Sequence, residues 1–392
     1  MDYTVQSLAF RVLKVLRYVR LYGPARTLAK VRGQYHMKRR YDPLPAQAAE
    51  PGPGGHVGLI GCGNFAFSNI AYYLSRNHGG VLRGAMDVDP HRAASLAGRY
   101  GLRYHTNDAG RILADPDIDL VYVASNHASH AEYAIQALQA GKHVHIEKPH
   151  VVSTEQLERL CAAMAASKGR VNLGFNRPHS AIGRAIKDCL DAESGPAMFN
   201  WFIAGHEISP EHWYFKDAEG GRVLGNLCHW TDFVLQLVEP SRRYPLAINP
   251  TRAAQKDCDI AVTFTFGDGS IAAITFSAKG HTFEGVRERF AAHRGNALVS
   301  MDDFKDLTIE VVEKKRRLSP LFRDHGHEVS IERSYAMSGA AVPGSFAGCS
   351  VDEVWETGNL FLSTRRALED NERIVLQARP GPGGTDPHRR QP

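Results

Sequence analysis

The sequence lacks any run of about eighteen uncharged apolar residues, and this excludes a helix spanning a bilayer. It also lacks paired cysteines. Cys62, Cys161, Cys189, Cys228, Cys258 and Cys349 are scattered with no C-x-x-C spacing, so neither a structural zinc nor a disulfide framework is signalled. A reducing cytoplasm is the expected compartment. The N-terminal region has no uninterrupted apolar stretch followed by a small-residue cleavage site, so it does not read as a signal peptide. Biased composition is absent too: 43% hydrophobic and 23% charged residues over 392 positions describe a soluble globular chain of two to three domains.

What is present is unevenly distributed. Residues 1–40 hold three lysines and seven arginines against the single acid Asp2, a net +9 in a chain whose total is +5. The remainder is therefore acidic by four charges, which argues against nucleic acid as a partner, because such proteins spread cations over a folded face. Within the arm, Arg11, Lys14, Arg17 and Arg20 recur every third residue between Leu8 and Gly23, with leucines and valines between them. That spacing predicts an amphipathic helix. It either lies on an anionic membrane surface at the inner membrane or packs on the body or a partner subunit. Residues 41–55 form a Pro/Gly/Ala linker, and 379–392 a tail of the same character expected to be disordered.

From residue 56 onward, short apolar strands alternate with helix-period stretches: Val57–Ile60, Val81–Met86, Asp119–Ser125, and then the segments ending at Pro149 and Asn176. This specifies a doubly wound parallel sheet, an α/β Rossmann domain over 56–176. Beyond about Gly195 longer alternating segments and a Gly-Asp-Gly turn take over, followed by an amphipathic helix over Val351–Leu368. Residues 177–378 thus read as an α+β domain with a large open, mostly antiparallel sheet.

The first strand runs into Gly61-Cys62-Gly63-Asn64-Phe65-Ala66 and then a helix, the context a dinucleotide turn requires. Gly61 permits the tight turn and Gly63 lets a pyrophosphate approach the backbone. Ala66 allows close helix–strand packing, and Asn64 and Phe65 sit at the helix start, where phosphate binds. Asp87 ends the second strand at the position of an acid that accepts from ribose hydroxyls, favouring NAD over NADP, although His91 and Arg92 lie nearby.

The segments from Ala124 to His130 and from Ala140 to Pro149, with GFNR (Gly174–Arg177) and a later G-G-x(7)-H, resemble the glucose–fructose oxidoreductase/inositol dehydrogenase (Gfo/Idh/MocA) family over residues 56–370. The wording of Gly220–Phe233 and Ala297–Phe304 is most similar to members associated with surface-polysaccharide assembly. The resemblance implies an NAD-dependent oxidation of a secondary hydroxyl on a sugar, nucleotide sugar or cyclitol. Lys148, at the carboxyl end of a parallel strand, is the proton-handling amine; burial beside a nicotinamide cation would depress its pKa. Pro149 is usually cis in the family. His229 matches the family's second-domain histidine, with Gly225 where many members carry an aspartate. Asp232, one turn later, either orients His229 or faces solvent. Ser125, Asn126 and His130 are expected by the resemblance to border the cofactor ribose and the strand end, with a plain helix N-terminal position as the competing role for His130, and Glu147 orients Lys148 or that ribose.

Arg177 reads either as a clamp for a substrate anion or as a salt-bridge residue. His212, Trp213 and Asn226 are candidate sugar contacts, with packing as the competing role. The nineteen histidines show no ligand spacing, so no metal is expected. By analogy the chain forms a homodimer or tetramer. Two further readings stay open: an enzyme that retains NAD and isomerises, epimerises or cleaves glycosides through transient oxidation, and a non-catalytic NAD-binding scaffold.

Overall fold

The computed structural model describes residues 3–47, 52–209, 211–252, 259–280, 283, 285–339 and 346–379. Chain order begins with a helical hairpin, α1 (Leu8–Tyr22) and α2 (Pro24–His36), turned at Gly23 with φ +80°. Ser7 caps α1 by accepting from the Phe10 N–H, and Pro24 opens α2, where a missing N–H costs nothing. Residues 48–51 of the expected linker, and 380–392 of the expected tail, lie outside the described residues.

Six strands then alternate with helices: β1 (Val57–Ile60), α3 (Ala71–His78), β2 (Leu82–Met86), α4 (Pro90–Tyr100), β3 (Tyr104–Thr106), α5 (Ala109–Ala114), β4 (Leu120–Val123), α6 (His127–Gln139), β5 (His143–Ile146), α7 (Thr154–Ala166) and β6 (Val171–Leu173). All pair in parallel in the order β3-β2-β1-β4-β5-β6. Strands covered on both faces need apolar side chains on both, and β1, β2 and β4 are buried at every residue. The order reverses between β1 and β4, which opens a crevice at their carboxyl ends, beside Gly61 and Ser125. Three-residue β3 is too short to show alternation, and sequence pattern alone does not reveal it.

The second sheet follows α8 (Ala181–Asp191). Its strands are β7 (Ala197–His206), β8 (Leu246–Arg252), β9 (Ile260–Thr265), β10 (Ile271–Gly280), β11 (Arg287–Arg294), β12 (Ala297–Asp302), β13 (Asp306–Val311), β14 (Lys314–Leu318) and β15 (Ile374–Leu376). The sheet order is β14-β13-β12-β11-β7-β10-β9-β8-β15, antiparallel throughout except for the β7/β10 pair. One face packs on α9 (Cys228–Gln236) through Trp201, Phe233, Phe290 and Phe304, with Trp201–Phe290 ring centroids 4.7 Å apart. On the other face Met198, Phe202, Ile271 and Leu298 are exposed.

The sequence pattern places residues 177–378 in the second domain, and here the structure differs. Helix α10 (His327–Tyr335) returns to the first sheet, where Ile331, Tyr335 and Met337 join its core. Tyr122 donates to the Ile331 carbonyl at 2.8 Å, and Asn172 donates to the Ser334 hydroxyl at 2.7 Å. A helix is needed there because no helix directly after β6 covers that face. Helix α11 (Val351–Asp370), opened by a Ser350/Glu353 capping box, then packs on α7 and α9.

Candidate active site

The glycine turn folds as its residues dictate. Gly61 has φ +91°, and a Cβ there would lie 2.5 Å from the Ala124 carbonyl, so only glycine fits. At Gly63 a Cβ would meet nothing within 4 Å, leaving open space over the backbone. Ala66 is buried against the sheet. Asp87 accepts from the Cys62 N–H at 2.7 Å and the Asp89 N–H at 2.9 Å, which braces the turn and leaves a lone pair on each oxygen. Arg92 pairs with Asp89 at 3.4 Å, and His91 Nδ1 accepts from the Tyr41 N–H at 3.2 Å, so both nearby bases have other partners. A braced turn, an open cradle at Gly63 and a carboxylate at the strand end suit a dinucleotide.

At the carboxyl end of β5, Lys148 donates to the Gly225 carbonyl at 2.7 Å, and the peptide to Pro149 is cis. Gly225 lies one helical turn before His229, so the amine is held at the start of the helix that carries the imidazole. Lys148 and His229 line one cavity of about 360 Å³, together with Glu147, Asn176 and Arg177. His229 is 8% exposed and its Nδ1 has no hydrogen-bond partner. Burial, then the charges of Arg177 and Lys148, push its pKa well below the usual value, so the ring is neutral at pH 7.

The missing aspartate has a local reason. A Cβ on Gly225 would lie 2.6 Å from the Tyr214 ring and 2.9 Å from His127 Cε1. A larger side chain has no room there, and His127, held neutral with its pKa lowered to about 2 mainly by burial, donates to the Glu219 carbonyl at 2.9 Å.

Several expected contacts have different partners. Arg177 forms a two-pronged pair with Glu288 at 2.8 and 2.6 Å, and Trp230 Nε1 donates to the same carboxylate at 2.9 Å. Arg177 is thus a salt-bridged wall of the cavity, not a free anion clamp. His130 turns Nδ1 to the Pro149 carbonyl at 2.8 Å and Nε2 to the Ser125 carbonyl at 3.1 Å. It ties two strand ends together and has no nitrogen left for a ribose. Asn126 donates to Glu219 at 2.7 Å and accepts from Ser129, whose hydroxyl also lies 2.7 Å from that of Ser125. Asn126 therefore bridges the two domains. Asp232 does not touch His229 in any described contact. It accepts from Gln236 at 3.0 and 2.9 Å, and burial raises its pKa to about 7. Glu147 accepts from His145 Nε2 at 3.0 Å, and His145 Nδ1 meets the Ser334 hydroxyl at 2.6 Å.

His212, Trp213 and Asn226 come together in a neighbouring cavity of about 660 Å³, opposite Asn64 and Phe65. Asn226 Oδ1 is buried there without a partner. Sequence reasoning missed the fourth wall. The N-terminal hairpin lines both cavities: Tyr18 and Lys30 face each of them, Lys14 the larger, and Tyr22 and Arg26 the smaller. The hairpin is anchored on the dinucleotide turn itself, since His36 donates Nε2–H to the Cys62 carbonyl at 2.7 Å and stacks on Phe67 at 4.2 Å. Arg26 donates to the Ser68 carbonyl and to Asn69 Oδ1. The available signal was two four-residue pairs, Tyr18 and Tyr22 before Gly23-Pro24 and Arg26 and Lys30 after it, each pair on one face of its own helix. Four apolar residues of α1 point the other way: Leu8 is 69% and Leu16 62% exposed, with Val12 and Leu13 beside them, while Leu21 is buried and Val15 lines the larger cavity. Among the described residues no helix is long and apolar enough to cross a membrane, and no group of histidines, cysteines and acids is arranged to hold a metal.

Comparisons with known proteins agree with this geometry. A profile of the oxidoreductase family with an NAD-binding Rossmann fold matches residues 56–175. The uncharacterized oxidoreductase YrbE of Bacillus subtilis is 27% identical over 263 residues, 65% of this chain and 76% of that protein. Inositol 2-dehydrogenase 3 of Saccharopolyspora erythraea is 35% identical over 137 residues, which span only 40% of its length. Among solved structures, levoglucosan dehydrogenase in complex with NADH superposes with a TM-score of 0.70 at 18% identity, over 82% of this chain and 99% of that one. GenD2 from gentamicin A biosynthesis, in complex with NAD, gives 0.68 at 20% identity over 86% and 99%. With the turn, the six-strand parallel sheet and the profile in agreement, residues 56–175 are the NAD-binding Rossmann domain of the Gfo/Idh/MocA oxidoreductase family, and the two-sheet architecture is that of the solved structures above.

Proposed function

We propose that the chain is an NAD-dependent dehydrogenase acting on a secondary hydroxyl of a sugar, nucleotide sugar or cyclitol, in surface-glycan assembly. The observation that carries the reading is the shared cavity. The Lys148 amine, held by the Gly225 carbonyl, and the unpartnered Nδ1 of neutral His229 border a single space at the carboxyl end of β5. NAD supplies the hydride acceptor. The chain's residues handle the proton: the unpartnered Nδ1 of neutral His229 accepts a hydrogen bond that orients the carbinol hydroxyl, and the Lys148 amine takes its proton as hydride leaves the same carbon for NAD. Glu147, tied to His145, fixes the backbone from which Lys148 projects. NAD is preferred to NADP because Asp87 repels a 2′-phosphate while Arg92 and His91 have other partners. The test is NADH formation with the purified full chain across a panel of cyclitols, free sugars, sugar phosphates and nucleotide sugars; if none is oxidised, the reading fails.

One observation favours a second reading, in which NAD is retained and recycled: α2 is fastened over the turn by the His36–Cys62 contact. In that case NAD co-purifies and turnover proceeds without added cofactor. Two surfaces complete the proposal. Ile271 and Met198, paired on β10 and β7, with Leu298 of β12 beyond His293 of β11 in the same row, support a homodimer through the open sheet face. The outward leucines of α1 support peripheral contact with an anionic inner membrane. Replacing Leu8, Val12 and Leu16 together with glutamine then abolishes sedimentation with anionic vesicles and leaves turnover intact. Unchanged sedimentation overturns the membrane contact.

A further inference from the structure

Charge in the two cavities is not balanced. Arg177 is neutralised by Glu288, and Arg323 by Asp303. Arg26 is held by a carbonyl and an amide, so its charge has no carboxylate partner among the described contacts. Lys30 makes no hydrogen bond or ion pair among the described residues, and its Nζ sits 4.8 Å from the centre of the Tyr22 ring. The charges acting most strongly on it are themselves cations, Arg26 and Arg323; with burial as the largest cause they push its pKa down to about 7. A cationic group packed among cations, with no acceptor, is unfavourable unless an anion occupies the site. Lys30 lines both the 360 Å³ cavity that holds Lys148 and His229 and the 660 Å³ cavity that holds Trp213 and Asn226. Whatever joins the two spaces passes its amine.

We propose that Lys30, seated beside Arg26 in the N-terminal hairpin, is a phosphate-binding residue for the substrate, so that the carbinol presented to Lys148 and His229 belongs to a sugar carrying a phosphate ester. This rests on the dehydrogenase reading for the identity of the reacting end and adds the chemistry of the other end. A free sugar or cyclitol leaves Lys30 and Arg26 uncompensated, whereas a phosphoryl group accepts from both. The cofactor's own pyrophosphate is expected over the backbone at Gly63 and the helix start, whose Asn64 and Phe65 also border the larger cavity, so the two phosphate sites adjoin and the test must fill the first to read the second. The arm is thus part of the specificity pocket.

The test is calorimetric binding of inorganic pyrophosphate to the full chain saturated with NADH, so that the dinucleotide's phosphate site is already filled. Wild type is expected to bind. Lys30→Gln is expected to weaken binding at least about tenfold, while Lys30→Arg stays within about threefold because the charge remains. NADH affinity is expected to be unchanged in both variants, and Lys30→Met substitutes if Lys30→Gln lowers the thermal midpoint. The proposal is overturned if holo wild type does not bind pyrophosphate or if Lys30→Gln binds as wild type does. An equal loss of NADH affinity overturns it too, because Lys30 then serves the cofactor. Pyrophosphate binding that depends on Lys30 in a chain oxidising no sugar defeats the dehydrogenase reading alone. Oxidation of neutral sugars with no such binding defeats this one alone.

Discussion

The glycine turn and the N-terminal hairpin meet at Cys62, yet they reach that place by different physics. The turn is specified locally: Gly61 must be glycine because its own backbone lies against Ala124, and Asp87 closes the loop from the neighbouring strand. The hairpin has helical propensity of its own but no position of its own. Contacts with Ser68, Asn69, Cys62 and Arg323, 26 to 301 residues away in sequence, decide where it sits. One region carries its address in its sequence; the other is placed by its neighbours.

The largest expected effect concerns the chemistry both regions enclose. Lys148→Ala should lower turnover at least ~10²-fold while NADH affinity, measured by fluorescence, stays put; unchanged turnover removes Lys148 from the mechanism. Within the turn, Gly61→Ala should cost roughly 1–3 kcal/mol of stability through overpacking and the disfavoured φ. Gly63→Ala should leave the thermal midpoint unchanged and weaken NADH binding about tenfold or more, because its methyl would fill the open cradle. Equal loss of stability in both would erase the distinction between a strained turn and a binding surface. For the hairpin, a Cβ at Gly33 would lie 2.4 Å from Asn64 Oδ1 and 3.2 Å from Ser68 Cβ. Gly33→Leu should therefore prise α2 off the turn at a cost of about 1–3 kcal/mol, raising KM more than it lowers kcat. A wild-type KM in that variant would mean the hairpin is not a wall of the site.

The smallest effect, for a change of one pH unit, is acid sensitivity. His127 and His150, with folded pKa values of about 2 and about 3, are kept neutral chiefly by burial. Their stabilisation is complete above the unfolded value near 6.5 and is lost as pH falls below it, by up to ~1.4 kcal/mol per pH unit for each. Asp232, raised to about 7, works in the opposite sense and offsets one such group between pH 4 and 7. Thermal midpoints should therefore fall as pH drops below 6.5, and His127→Asn should flatten that slope; an unaltered slope would mean His127 is not part of it.

How much was legible follows the same division. The Rossmann strands and the turn could be read because burial on both faces and backbone geometry leave a local trace. The place of Lys148 at a strand end was legible from the pattern of strands, whereas His229 was singled out only through family resemblance, since a histidine on a buried helix has no distinguishing period; the cavity the two share was not legible. The Arg177–Glu288 pair spans 111 residues, and nothing near Arg177 distinguishes a clamp from a salt bridge. The arm's basic spacing was visible, but not its direction. A helix with leucines on one side and Lys14, Tyr18 and Tyr22 on the other does not say which side faces the protein.

Helix α10 carries a consequence for the order in which the molecule is made. The nucleotide lobe's sheet is complete by Leu173, but Tyr122, His145 and Asn172 lack their partners until residues 331–334 are synthesised. About 160 residues of the second lobe must leave the ribosome before the first can close its far face. A fragment ending at 176, though it holds every glycine of the cofactor turn, would leave that face uncovered; the two lobes mature as one unit.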